Sequence, residues 1–140
     1  MSFPDATALL IAYLDPLLPS GVAVHSSVPN PRPDHFVQVR RSGGVPRNVV
    51  RDNARMDLFA WHHADEAQAM STLLTVRGLV WALAGNNLLG VTCYRVQEFL
   101  GPRQLNDPET GTPRAWMTAE FSLRADQIIH YTPPPEDDES

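Results

Sequence analysis

Hydrophobic positions recur with two different periods along this chain, and they predict an alternation of two helices with about five strands. Leu9, Leu10, Tyr13, Leu14 and Leu17 recur at helical spacing behind Asp5, a good capping residue, and Pro16 and Pro19-Ser20-Gly21 end that helix. Val22 to Val28 is short and β-branched and reads as a strand. The prolines of Pro29-Asn30-Pro31-Arg32-Pro33 then forbid helix. His35 to Arg41 reads as a strand, Ser42 to Asn48 as a glycine- and proline-bearing loop, and a third strand is centred on Arg55 to Trp61. Together they predict a hairpin with a long exposed tip. Ala64 to Ala84 is the clearest helix, with a stripe of Ala67, Met70, Leu73, Leu74, Val80, Trp81 and Ala84, closed by Gly85-Asn86-Asn87. Leu89 to Phe99 is a strand, Gly101 to Pro113 a polar loop, and Arg114 to Leu123 the last strand. The order α-β-β-β-α-β-β, with hairpin-like connections, predicts an α+β fold: a mainly antiparallel sheet of about five strands with two helices on one face.

The alternation also sorts side chains onto faces. Met117, Ala119, Phe121 and Leu123 form an inner face of the last strand, opposite Trp116, Thr118, Glu120 and Ser122. On the strand at 55–61, Met56, Leu58 and Ala60 point inward, while Phe59 and Trp61 point outward beside Arg55 and Asp57. Aromatic rings on a nominal solvent face have two readings. Either a neighbouring molecule covers them, or a helix or the proline segment of the same chain does.

Composition narrows the class. The 140 residues suit one domain, with 43% hydrophobic and 19% charged residues in the globular range. Residues 1–131 are read as that domain, and 132–140, with Glu136, Asp137, Asp138 and Glu139, as an acidic tail expected to be disordered. No apolar run is long enough for a membrane span, and MSFPDATALL lacks the basic region of a secretory signal. One cysteine, Cys93, excludes an internal disulfide; it sits mid-strand and reads as a buried inert thiol.

Charge is unevenly spread. The net charge is −5, all 11 basic residues are arginine, and six of them lie between Arg32 and Arg55 against only Asp34 and Asp52. That stripe reads either as a solvated hairpin edge or as a dock for an acidic partner surface. Arg40, Arg41, Arg47 and Arg51 are the candidate contact residues. Asp107 and Glu109 in the polar loop are candidates to meet such arginines on a neighbouring copy, and Phe59, Trp61 and Trp116 are candidate apolar contacts. A head-to-tail contact of that kind closes into a ring when the rotation allows. The overall balance is too acidic for a general nucleic-acid binder.

Motifs for chemistry are sparse. His62-His63 with Asp65 and Glu66 has no metal-ligand spacing, and capping of the following helix explains the acids better. There is no phosphate-cradling glycine loop and no nucleophile elbow. No catalytic, metal or cofactor residue is therefore assigned.

Three stretches carry a family resemblance: FPDATALLIAYL; VPNPRPDHFVQVRRSGG with RDNARMDLFAW; and GVTCYRVQEFLGP, LNDPETGTPR and AEFSLR in order. In these the chain resembles the tail terminator proteins of long, non-contractile-tailed bacteriophages, especially of actinobacterial phages. The resemblance spans nearly the whole chain and rests on a pattern of elements and loop residues. It implies an α+β subunit of a homohexameric ring, without enzymatic activity or cofactor. Such a ring caps the tail tube at its head-proximal end, stops polymerisation of the major tail tube protein, and docks the head-completion proteins of the neck. DNA passes through the lumen without sequence-specific binding, and no membrane is involved. The implied location is the virion, and the host cytoplasm during assembly. Two other readings stand beside it: a head-completion or connector protein of the neck, and a small cellular α+β enzyme or ligand-binding domain.

Overall fold

The structure is a computed structural model that describes residues 3–48 and 50–124. The expected acidic tail, and the end of the expected domain at residue 131, lie outside the described residues. Helix α1 (Ala6–Leu14) starts at Asp5, whose carboxylate accepts from the Ala8 N–H at 3.0 Å. Its buried residues, Ala6, Leu10 and Leu14, recur every four positions and form one stripe. A 3-10 turn over Asp15–Leu17 follows, with Pro16 near its start, and the Asp15 carboxylate ties it to β1 (Ala23–His25) by accepting from the Val24 N–H at 3.1 Å.

The remaining elements are β2 (His35–Gly43), β3 (Pro46–Asn48), β4 (Arg51–His62), α2 (Glu66–Trp81), β5 (Asn86–Leu88), β6 (Val91–Gln104) and β7 (Arg114–Arg124). The sheet order is β1-β2-β4-β7-β6-β5, with β3 paired to β4 at the tip of the β2–β4 hairpin. Every pair is antiparallel except β1 with β2, which run parallel on either side of the proline segment.

The class expected from the pattern, α+β with a mostly antiparallel sheet, is what forms. The strand count differs, because β3 and β5 hold three residues each, too few to express a period of two. The expected loop at Ser42–Asn48 therefore contains β3, and Asn86-Asn87 belong to β5. The first expected strand shrinks to Ala23–His25, whereas β6 runs on to Gln104 through the start of the expected polar loop.

Helix α2 also shifts relative to its expected stripe. Asp65 caps it, accepting from the Ala67 N–H at 2.8 Å. The side chains it buries are Ala69, Leu73, Val76 and Val80, while Leu74 and Trp81, seven residues apart on a neighbouring row, face outward. Together with the α1 stripe these residues share one core with Val37, Val39, Met56, Leu58, Ala60, Met117, Ala119, Phe121 and Leu123 of the sheet. Burying a leucine such as Leu73 contributes roughly 1.5–3 kcal/mol, so this core is the main source of stability. The Tyr13 hydroxyl donates to the Leu79 carbonyl at 2.8 Å and joins the two helices above the sheet. Among the described residues, no helix is long and apolar enough to cross a membrane.

Candidate functional site

The sheet's second face holds the most distinctive chemistry, and the strand register assembles it. Phe36 pairs with Trp61, Gln38 with Phe59 and Arg40 with Asp57 across β2 and β4. Phe59 pairs with Trp116, Asp57 with Thr118 and Arg55 with Glu120 across β4 and β7, and Arg103 of β6 lies opposite Trp116. Because side chains alternate, all of these point away from the helices.

Phe36, Phe59 and Trp61 are only 0–3% exposed. Phe36 stacks on Trp61 at 5.5 Å and Phe59 on Trp116 at 5.4 Å. Arginines close the layer above them. Arg32 lies 5.2 Å over Trp61, Arg40 5.1 Å over Phe59, and Arg114 spans both rings at 5.0 and 5.1 Å. Arg103 covers Trp116 at 4.2 Å. These guanidinium groups and their stems shield the rings from solvent. Of the two readings left open, cover by the same chain is the one observed, and the covering groups are arginines together with Val28. Phe59 and Trp61 therefore support this face from below, and Trp116 is half-buried within it.

Buried polar groups on the face are tied together. Trp61 Nε1 donates to Gln38 at 3.2 Å. Asp57, 3% exposed, accepts from the Thr118 hydroxyl and from Arg40, each at 2.8 Å. On the other side of the sheet, at the alternation of Ala54 and Met56, Arg41 makes a bidentate pair with buried Asp52 at 2.8 and 3.0 Å. The arginine stripe is thus split: Arg40 and Arg41 are paired inside the chain, whereas Arg47 is exposed and Arg51 lies 4.0 Å over Tyr94. Neither Arg47 nor Arg51 has an ion pair among the described residues. They sit on the hairpin tip, where Val45 is 68% exposed.

Asp107 takes a partner in its own chain. Its carboxylate accepts from the Thr110 hydroxyl at 2.6 Å and lies 4.0 Å from Arg32. The Thr110 hydrogen bond holds its carboxyl below the usual range. Glu109 points to solvent. Burial, opposed by Asp107 and assisted by Arg40, lowers Arg114 from its ordinary value.

Two groupings escaped the pattern of the sequence. Glu98 of β6 accepts from Arg77 Nε at 2.6 Å, Arg77 Nη2 at 3.1 Å and Trp81 Nε1 at 2.7 Å, which clamps α2 to β6. These three donors hold its carboxyl below the usual range, with the Arg77 hydrogen bond the largest influence. His35, His62 and His63 form the other, with ring centres 5.0 and 4.6 Å apart along the series. His62 Nδ1 accepts from the Ala64 and Asp65 N–H groups, so it serves the α2 start. Among the described residues, no three His, Cys, Asp or Glu side chains form a group able to hold a metal. Arg103 and Arg114, which come from the far end of the sequence, are the arginines that no local charge count could have placed over these rings. No protein-family model matches this chain, and no curated protein matches it.

Proposed function

We propose that this chain is a structural subunit that caps a phage tail tube as a ring of identical copies, six in the terminator family it resembles. A head-to-tail ring needs two different surfaces on each copy. The observation that carries the reading is that the sheet has an open edge on each side. The outer edge of β6 has a strand partner only at Val91–Cys93, which leaves 94–104 unpaired among the described residues. On the opposite side, β1 pairs only with Phe36–Gln38 of β2, which leaves that edge of 39–43 unpaired among the described residues. Phe99 and Leu100 on β6 are 40% and 49% exposed, as expected for a surface that meets protein. The hairpin tip supplies a third surface, with Arg47 and Arg51 as contacts to the tube protein or the neck.

Electron microscopy of tails from a phage lacking this gene tests the reading. Overlong tubes of variable length support capping. Finished tails of normal length, detached from filled heads, move the protein to the neck and overturn capping. Fully normal virions overturn both. The double variant Arg47→Glu/Arg51→Glu then tests the tip: ring formation and capping that survive unchanged reduce it to a solvated edge.

A further inference from the structure

The arginine face carries more donors than acceptors. Its acidic groups are committed: Asp57 to Arg40 and Thr118, Glu120 to Arg55 at 3.8 Å, and Asp107 to Thr110 beside Arg32. Two buried donors, Arg103 Nη1 and Trp116 Nε1, have no acceptor among the described residues, and they come from register partners on β6 and β7. Arg114 and Arg40 sit beside them over Phe59, and their like charges repel. The Arg40 side chain is 53% exposed and uses only Nη2 in its pair with Asp57. Unmet donors next to crowded cations call for an anion.

The rings decide which anion. Phe36, Phe59 and Trp61 offer no open face on which a nucleobase could stack. A guanidinium is a planar fork of N–H donors, which fits a carboxylate through two parallel bonds. The chain itself carries four carboxylates in a row, Glu136-Asp137-Asp138-Glu139.

We propose that Arg103, Trp116, Arg114 and Arg40 form a carboxylate-binding seat, and that its ligand is the acidic segment Glu136–Glu139 of the same chain. Reach permits it. Trp116 lies eight residues back along β7 from Arg124, about 26 Å at strand spacing. The twelve residues from Arg124 to Glu136 span up to about 40 Å when extended. Charge is complementary on both sides. The inference does not depend on the capping reading.

The test uses the full-length 15N-labelled protein and a full-length variant carrying Glu136→Gln, Asp137→Asn, Asp138→Asn and Glu139→Gln. The readout is the indole N–H resonance of each tryptophan at low salt, with Trp116 assigned through Trp116→Phe. The expected result is that the Trp116 resonance differs between the two proteins. Those of Trp61, bonded to Gln38, and Trp81, bonded to Glu98, stay in place and report an intact fold. Adding the synthetic peptide PPPEDDES to the variant moves the Trp116 resonance back, and Arg103→Gln abolishes the difference. An identical Trp116 resonance in both proteins overturns the seat. A difference that vanishes on dilution, together with a change in sedimentation, overturns binding within one chain and assigns the ligand to a second copy.

Discussion

Asp57 on β4 accepts a 2.8 Å hydrogen bond from the hydroxyl of Thr118, its register partner on β7. Both residues are buried, at 3% and 5% exposure, in the middle of the sheet's arginine face. Asp57→Ala leaves that hydroxyl without an acceptor and Arg40 without its ion pair. The expected loss is about 2–4 kcal/mol in urea unfolding, most of it from the buried side because Arg40 is half exposed. Adding Thr118→Val to Asp57→Ala recovers part of the loss. A loss below about 0.5 kcal/mol, the range of ordinary surface changes, contradicts this account.

Gly44 makes the hairpin tip possible. Its φ is +88°, and a Cβ there would stand 2.0 Å from the Asn53 carbonyl oxygen and 2.7 Å from the Arg55 nitrogen. Gly21 has nearly the same φ, +90°, with nothing within 4 Å of a Cβ. Gly21→Ala should therefore cost only the backbone strain, about 1–2 kcal/mol. Gly44→Ala should cost more and open the tip, seen as faster hydrogen exchange at the Asn53 N–H that now donates to Val45. Equal costs at the two sites would refute the close approach.

Stability should fall as the solution is acidified below about pH 6.5, the ordinary histidine value. Burial, followed by His62 and His63, lowers the pKa of His35, whose Nε2 lies 2.7 Å from the Thr72 hydroxyl. The unfolded chain then binds the proton more readily than the folded one. The contribution is complete above the unfolded value and is lost as pH falls through the folded one. Glu98 and Asp107 also lose stability on acidification, but their window lies lower, below the ordinary carboxylate range. Urea midpoints at pH 7.5 and 5.0 isolate the histidine effect, and His35→Gln should shrink the difference between them. An undiminished difference assigns it to other groups.

Cys93 should resist thiol reagents while the protein is folded. Burial pushes its pKa up to about 11, against an ordinary 9.0, and its side chain is fully enclosed in the core. That shift alone lowers the thiolate fraction at pH 8 about 100-fold. Reaction with an aromatic disulfide should track global unfolding in urea. Prompt labelling of the native protein would contradict the burial.

Much of the scaffold was legible in the sequence, because long elements show their period. The inward positions Met56, Leu58 and Ala60 and the outward positions Phe59 and Trp61 fall where alternation puts them. The phase of α2 was harder, since Leu74 and Trp81 mimic a core stripe, and the indole instead finds Glu98, 17 residues further along the chain. The arginine stripe at 32–55 looked like a single patch. Tertiary pairing divides it, because Asp57 and Asp52 lie within strand β4 itself and neutralise Arg40 and Arg41. The lid on the rings was illegible for a related reason. Arg103 and Arg114 are distant in sequence from Phe59 and Trp61, and only the β4-β7-β6 order brings them together.

The Glu98 carboxylate gathers three donors from α2, and its own strand is the one with the long unpaired edge. From that edge the contacts run into the helix, and from the helix through Leu73 and Val76 into the centre of the sheet. Edge, helix and core are thus joined in one unbroken series of contacts that starts at a single carboxylate.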